Sequence, residues 1–236
     1  MHDSSNGAPQ PDNTEELTLP EAIMLLLFDP RTGAIAGEGQ KLMIVLGAAT
    51  VTDLALRHHI ELDDKHRKAR AIGNAPDHPL LAESWNRVPG RFTSIRTLIF
   101  DIGARAREST LNRLMTAGHI HKGSRRILGF IPATKYSGGD TTVRDTLLDR
   151  IRAALLDDVV PQAYTATLIT LLSSSRSLPA MNSDIAWSGT VHTRAKEFER
   201  GHWGAQPDSD AVDRTLVTDI VGIAFPKVLG RITRGD

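Results

Sequence analysis

The stretch LTLPEAIMLLLFDP, residues 17–30, indicates how the rest of the chain must fold. Thr18 and Glu21 have the spacing of a capping box, and Pro20 falls in the first turn, where its missing N–H costs nothing. A helix is therefore predicted to begin here. It would continue through Ala22–Phe28, apolar on nearly every face, until a turn containing Pro and Gly ends it. Because such a helix must be buried, we predict that other helices pack around it.

The composition limits the classes of protein to consider. Of the 236 residues, 40% are hydrophobic, which is enough for a core, and 28 basic residues balance 28 acidic ones. Any attraction to nucleic acid or to an anionic membrane must therefore be local. The chain has no cysteine, which excludes disulfides and fits a reducing compartment. The polar N-terminus lacks a signal-peptide pattern and no apolar run approaches about 18 residues, so we expect a cytoplasmic protein.

The organisation of the chain indicates one mainly helical domain. Residues 1–15 are polar and rich in Pro, Gly and Ser, so we expect a disordered tail. Residues 16–236 contain no segment typical of a flexible linker and are predicted to form a single domain. About eight segments have helical periodicity, among them residues 40–58, 91–102 and 104–117. The segments IELDD and KARAIG are predicted to be short strands.

The segment GHIHKGSRRILGFIPATKYSGG, residues 118–139, is typical of a short β-hairpin between two helices. Its centre combines cations with apolar residues, namely Arg125, Arg126, Ile127, Leu128 and Phe130. Apolar side chains at a tip suit insertion into a lipid interface, where the arginines would meet anionic head groups. The alternative is that the tip packs against a second subunit.

A helix followed by a basic hairpin is also typical of a winged-helix DNA-binding module. The helix carries Arg105, Arg107 and Arg113. A DNA-binding domain would however be expected to have a basic excess, and this chain is neutral with an apolar hairpin tip. DNA binding therefore remains the alternative hypothesis.

The sequence offers little support for metal binding or catalysis. The densest group of possible ligands is His58, His59, Asp63, Asp64 and His66. This group crosses a predicted helix end and a strand, without the spacing that aligns two ligands on one helix face. Motifs of nucleophilic, phosphate-binding, zinc-protease and dinucleotide sites are absent from the sequence. We therefore predict no metal, no cofactor and no enzymatic activity.

Three segments together resemble the Golgi phosphoprotein 3 family: LTLPEAIMLLLFDPRTGAI at 17–35, TDLALRHHIEL at 52–62 and RLMTAGHIHKGSRRILGFIPATKYS at 113–137. The resemblance implies a buried central helical core that is wrapped by amphipathic helices, with a short protruding β-hairpin. It also implies binding to phosphatidylinositol 4-phosphate at the cytosolic face of a membrane, with the hairpin contributing to membrane contact and self-association. The excess of Arg over Lys and the missing N-terminal basic stretch suggest a prokaryotic-type member.

The head-group pocket of the family is only partly matched. The family uses a Trp and an Arg near the second helix, and two Arg spaced three apart before the hairpin. The corresponding positions here are Glu38, Gly47, Ala104 and Arg107, so that only the last one matches. We expect Arg105 or Lys41 to compensate from neighbouring positions. These replacements leave the recognised lipid open between phosphatidylinositol 4-phosphate and another anionic phospholipid.

The combined expectation is a nonenzymatic, peripheral membrane-binding adaptor on the cytoplasmic face of a membrane. The predicted head-group residues are Arg107, Arg105 and Lys41, and the predicted membrane-inserting residues are Arg125, Arg126, Ile127, Leu128 and Phe130. Self-association through the hairpin is a further expectation, and nucleic acid is not favoured as a partner.

Overall fold

A computed structural model describes residues 17–127, 131–204 and 210–226. The predicted tail, residues 1–15, lies outside them. The helices are α1 (Leu19–Leu27), α2 (Gln40–Leu56), α3 (Pro79–Trp85), α4 (Ile95–Thr116), α5 (Thr142–Leu156), α6 (Ala163–Ser174), α7 (Gly189–Phe198) and α8 (Asp210–Ala224). The strands are β1 (Ile60–Leu62), β2 (Lys68–Ala71), β3 (Thr93–Ser94), β4 (Ile120–Ile127) and β5 (Ile131–Gly138). The prediction of a mainly α fold with a short hairpin is confirmed.

Helix α1 lies at the centre of the fold, as its sequence predicts. All nine of its residues are buried, and it contacts α2, α4, α5 and α6. Its N-terminus has the predicted capping box, in which Glu21 Oε2 accepts from Thr18 N at 3.0 Å and from Thr18 Oγ1 at 2.6 Å. These bonds occupy a carboxylate that would otherwise be costly to bury.

Helices α2 and α4 pack closely because glycines lie at their contact. A Cβ atom at Gly47 would lie 2.1 Å from Ile99 O, and one at Gly103 would lie 2.3 Å from Met43 O. The prediction of separate helices at 91–102 and 104–117 is therefore wrong, since α4 passes through Gly103 without interruption. Gly103 lowers helix propensity, but the contact that it permits with α2 compensates for this loss.

A small antiparallel sheet covers one end of the α2–α4 pair. β1 and β2 correspond to the two predicted strands, and β2 also pairs with β3, which was not predicted. β3 is only two residues long and leads directly into α4, so it has no alternating pattern of its own.

The predicted hairpin is present as β4 and β5, which pair in register from Ile120↔Gly138 to Ile127↔Ile131. It begins directly after the C-terminal end of α4, and the strand residues 121–124 are exposed. Residues 128–130 lie outside the described part of the chain. None of the helices in the described ranges is long and apolar enough to cross a membrane.

The buried carboxylates of Glu21 and Asp53, with the partly exposed cations around them, join α1 to α2, α3 and α4. Glu21 Oε2 lies 3.4 Å from His78 Nε2, and Glu21 Oε1 lies 3.5 Å from Arg113 Nε. Nearby, Asp53 accepts from Leu19 N at 2.7 Å. Burial lowers the pKa of His78, although Glu21 and Asp53 oppose this shift. Burial raises the pKa of Asp53, against the effect of its Arg57 partner.

His78→Asn is expected to reduce the loss of stability on mild acidification. Because the folded-state pKa of His78 is below its unfolded value, folding opposes its protonation, and stability falls as the pH drops below about 6.5. Asparagine cannot titrate and is a preferred residue at the N-cap position of α3 that His78 occupies. The measurement is the free energy of unfolding of both proteins between about pH 7 and pH 5. The exposed His202→Asn variant is the control, and an unchanged pH slope in His78→Asn would contradict the assignment.

Candidate anion-binding site

The turn after α1 forms a platform for the hairpin. Asp29 organises this turn, because its carboxylate accepts from Arg31 N and Thr32 Oγ1, both at 2.9 Å. Gly33 has a φ of 76°, and a Cβ atom there would lie 1.9 Å from Tyr136 O on β5. The turn can therefore approach the hairpin only with glycine at this position.

A cavity of about 500 Å³ lies where this turn, α4 and β5 meet. Its lining consists of Thr32, Gly33, Ala34, Ile35, Glu38, Arg107, Thr134, Lys135 and Tyr136. Two cations, Arg107 and Lys135, thus border one cavity from different elements. Such a convergence of cations beside hydroxyl groups is suited to an anionic ligand.

Arg107 is held by Glu38 across this cavity. Arg107 Nη2 donates to Glu38 Oε1, and the two side chains are 40% and 57% exposed. Solvent-exposed ion pairs of this kind contribute at most about 1 kcal/mol. An incoming anion can therefore displace Glu38 from Arg107 at small cost.

The structure does not bring the other predicted head-group residues into this cavity. Arg105 precedes Arg107 by two residues, which places it about 200° away around the helix, and it does not line the cavity. Lys41 borders a different cavity, where its Nζ lies 3.5 Å from Arg176 O. Of the three residues predicted to bind a head group, only Arg107 is placed at this site.

Packing explains one of the replaced family positions. Gly47 lies in the close contact between α2 and α4, where no side chain fits. Ala104 is exposed and lines a separate groove on α4. Neither position therefore contributes a cation to the cavity.

Lys135 is a site residue that the sequence analysis missed. It lies on β5, opposite Gly123 of β4, and lines the cavity from the returning strand of the hairpin. A signal was present, because Lys135 lies on the strand that returns from the tip, and a hairpin brings this strand alongside β4.

The predicted membrane-inserting residues are only partly described. Arg125, Arg126 and Ile127 belong to the paired backbone of β4. Leu128 and Phe130 lie outside the described residues, so the apolar tip stays a prediction from sequence.

The histidine-rich segment has ordinary contacts. His59 Nδ1 lies 3.2 Å from Asn74 O, and His66 Nδ1 lies 2.8 Å from Asp219 Oδ2 on α8. Among residues 17–127, 131–204 and 210–226, no three acidic, histidine or cysteine side chains are grouped so that they could hold a metal ion.

Comparison with known proteins identifies the family. Comparison with curated proteins finds no match to this chain. A family model described as Golgi phosphoprotein 3 (GPP34) matches residues 19–215. The match extends from the start of the buried helix α1 into α8, and it includes the turn, the cavity and the hairpin described above. Because it covers most of the chain, this protein belongs to the Golgi phosphoprotein 3 (GPP34) family.

Proposed function

We propose that this protein is a nonenzymatic peripheral adaptor that binds anionic phospholipid head groups in the cavity between Arg107 and Lys135. The observation that carries the proposal is the convergence of these two cations beside the hairpin. Membership of a family that is not a known enzyme family supports a binding role. Phosphatidylinositol 4-phosphate is the first lipid to test, because the resemblance to the family implies it.

The geometry supports exchange of a carboxylate for a phosphate. In the described structure the Arg107 guanidinium is neutralised by Glu38, the residue that the resemblance aligns with an aromatic position of the family. A phosphate monoester carries more charge than a carboxylate and offers more acceptor oxygens to Arg107 and Lys135. Glu38 thus competes with any anion for Arg107, and a densely charged head group displaces it more readily than a singly charged one.

The hairpin connects the cavity to a membrane in this proposal. β5 contributes Thr134, Lys135 and Tyr136 to the cavity and leads back to the tip at residues 128–130. Apolar residues at the tip would enter the acyl boundary of a bilayer while the cavity holds a head group near its surface. The adaptor would then bind at the cytoplasmic face, where anionic lipids are concentrated.

Opposite effects are expected from substitution of the two partners in the cavity. Arg107→Glu should weaken binding to anionic liposomes at least several-fold, because a cation near such a surface contributes about 1 kcal/mol and charge reversal adds repulsion. Glu38→Gln should strengthen binding, because it frees Arg107 without removing an acceptor. The measurement is cosedimentation with liposomes that contain phosphatidylinositol 4-phosphate, phosphatidylserine or neutral lipid only. Raising the salt concentration should reduce the difference in liposome binding between each variant and the wild type.

The matched control is Arg200→Glu, which reverses an exposed charge on the loop after α7. Equal losses in Arg107→Glu and Arg200→Glu would show a diffuse charge effect and withdraw the cavity assignment. If the wild-type protein pellets with none of the liposomes, the adaptor proposal is rejected.

Two further experiments test the other hypotheses. A duplex-DNA mobility shift at the same salt concentration tests the winged-helix alternative, and sedimentation without lipid tests self-association.

A further inference from the structure

Positive charge is concentrated in one part of this neutral chain. Residues 65–97 contain seven Lys and Arg residues but only two carboxylates, whereas the whole chain has 28 of each. Most of these cations lie on or beside the small sheet. We call Lys68, Arg70, Arg91, Phe92 and Arg96 the basic sheet face.

Strand alternation exposes the cations of β2. Ala69 is fully buried, so its neighbours Lys68 and Arg70 lie on the opposite, solvent-facing side of the sheet. Lys68 pairs across the sheet with Ser94 of β3. The Arg70 guanidinium lies 4.8 Å from the ring centroid of Phe92, which is 40% exposed. A cation thus lies over an exposed aromatic ring.

Little of this charge is neutralised within the protein. Arg70 pairs with Glu61 at 2.6 Å, but both side chains are more than 40% exposed. Lys68, Arg91 and Arg96 form no ion pair with a carboxylate in the part of the chain that the structure describes. Arg96 instead lies 6.0 Å from the centre of the Phe100 ring. The surface therefore carries several charges that remain available to a partner.

The basic sheet face continues along α4 towards the Arg107 cavity. A groove of about 610 Å³ on this side of α4 is lined by Ser94, Arg96, Thr97, Phe100, Asp101 and Ala104, so that it contains one cation and one carboxylate. Four positions of α4 are spaced by four, four and three residues, namely 96, 100, 104 and 107. They therefore lie on one flank of the helix. The two cationic sites are separated along the helix by roughly 16 Å. A small soluble anion cannot span this distance, whereas a membrane surface can contact both sites.

We propose that the basic sheet face is a second membrane contact, which binds anionic lipid head groups by charge and places Phe92 at the interface. This inference rests on the proposed function, because it adds a contact with the same membrane. The first site is a cavity in which two cations can surround one head group. The second is an open surface, so it should respond to the density of negative charge and should not distinguish one anionic lipid from another. Each cation near an anionic bilayer strengthens binding by roughly fivefold.

The test uses the full-length protein and vesicles of phosphatidylcholine, with or without phosphatidylserine or phosphatidylinositol 4-phosphate. The variant Lys68→Ala/Arg91→Ala/Arg96→Ala should bind phosphatidylserine vesicles at least tenfold more weakly than the wild type. The control Lys41→Ala/Arg176→Ala/Arg200→Ala removes the same net charge from exposed positions outside the basic sheet face. Its binding to phosphatidylserine vesicles should weaken much less. Melting temperatures should be unchanged, because none of these side chains is buried. If the triple variant does not fold, Arg91→Glu alone provides the same comparison.

The possible outcomes separate this inference from the proposed function. Equal binding by the two triple variants, together with weaker binding by Arg107→Glu, would overturn the second contact and leave the cavity assignment standing. Binding of the wild type to no anionic vesicle would overturn both. Loss of a duplex-DNA shift in the basic-sheet variant, without any vesicle binding by the wild type, would identify nucleic acid as the partner and reject the membrane.

Discussion

Gly47→Arg, which places an arginine where the resemblance to the family implies one, is expected to prevent folding rather than to improve lipid binding. A Cβ atom at this position would lie 2.1 Å from Ile99 O and 3.1 Å from Gly103 Cα. Both are backbone atoms of α4, so they cannot move without shifting the helix. Gly47→Ala already forces this shift and should lower the free energy of unfolding by about 1–3 kcal/mol. Urea denaturation of the two variants measures the effect.

Gly222→Ala is the matched control for this prediction. Gly222 also lies within a helix, α8, but a Cβ atom there would meet no other atom within 4 Å. Alanine should therefore leave the stability unchanged or raise it by about 0.5–1 kcal/mol through helix propensity. If Gly47→Ala were as stable as the wild type, α2 and α4 could not be as close as described. If Gly47→Arg folded and bound lipid more tightly, our explanation for the missing arginine would be wrong.

Glu21→Ala is expected to lower the free energy of unfolding by about 1–3 kcal/mol, the range for leaving buried hydrogen-bond donors without an acceptor. The substitution removes the acceptor of Thr18 N and Thr18 Oγ1 at the start of α1. It also leaves the buried Nε of Arg113, and with it His78, without a carboxylate. Because Arg113 lies in the last turn of α4, the site next to the hairpin should also lose order. Chemical denaturation monitored by circular dichroism measures the loss.

Glu21→Gln separates the contribution of the capping hydrogen bonds from that of the negative charge. The amide retains an oxygen for the capping bonds but removes the negative charge, so an intermediate loss is expected. Glu108→Ala, an exposed position on α4, should change the stability by no more than about 0.5 kcal/mol. A loss in Glu21→Ala as small as that in Glu108→Ala would show that the buried carboxylate of Glu21 does not hold α1 in place.

The sequence predicts those features that depend on neighbouring residues. The capping box at Thr18 and Glu21 and the apolar run of α1 involve residues within one or two turns, so their pattern is visible before folding. The hairpin was predicted for the same reason, because its two strands lie in one continuous segment, residues 118–139. The break expected at Gly103 is the exception, because the benefit of glycine there comes from Met43 on another helix.

In the candidate site too, one residue could be predicted from the sequence and another could not. Arg107 was identified through the resemblance to the family, and its neighbour in sequence Arg105 does not line the same cavity. Lys135 follows Arg107 by 28 positions and reaches the same cavity only because the hairpin folds back onto the turn at Gly33.

The sequence by itself determined the helical class, the buried central helix, the hairpin and the family, because these depend on local periodicity and on ordered motifs. Only the tertiary structure decided which charges meet. It paired Arg107 with Glu38, placed Lys41 in another cavity and packed Gly47 where no side chain fits. The physical reason is that a binding site requires side chains from distant segments to converge within a few ångströms. Their distances are set by the packing of α2, α4 and the hairpin, which no single segment of the sequence encodes.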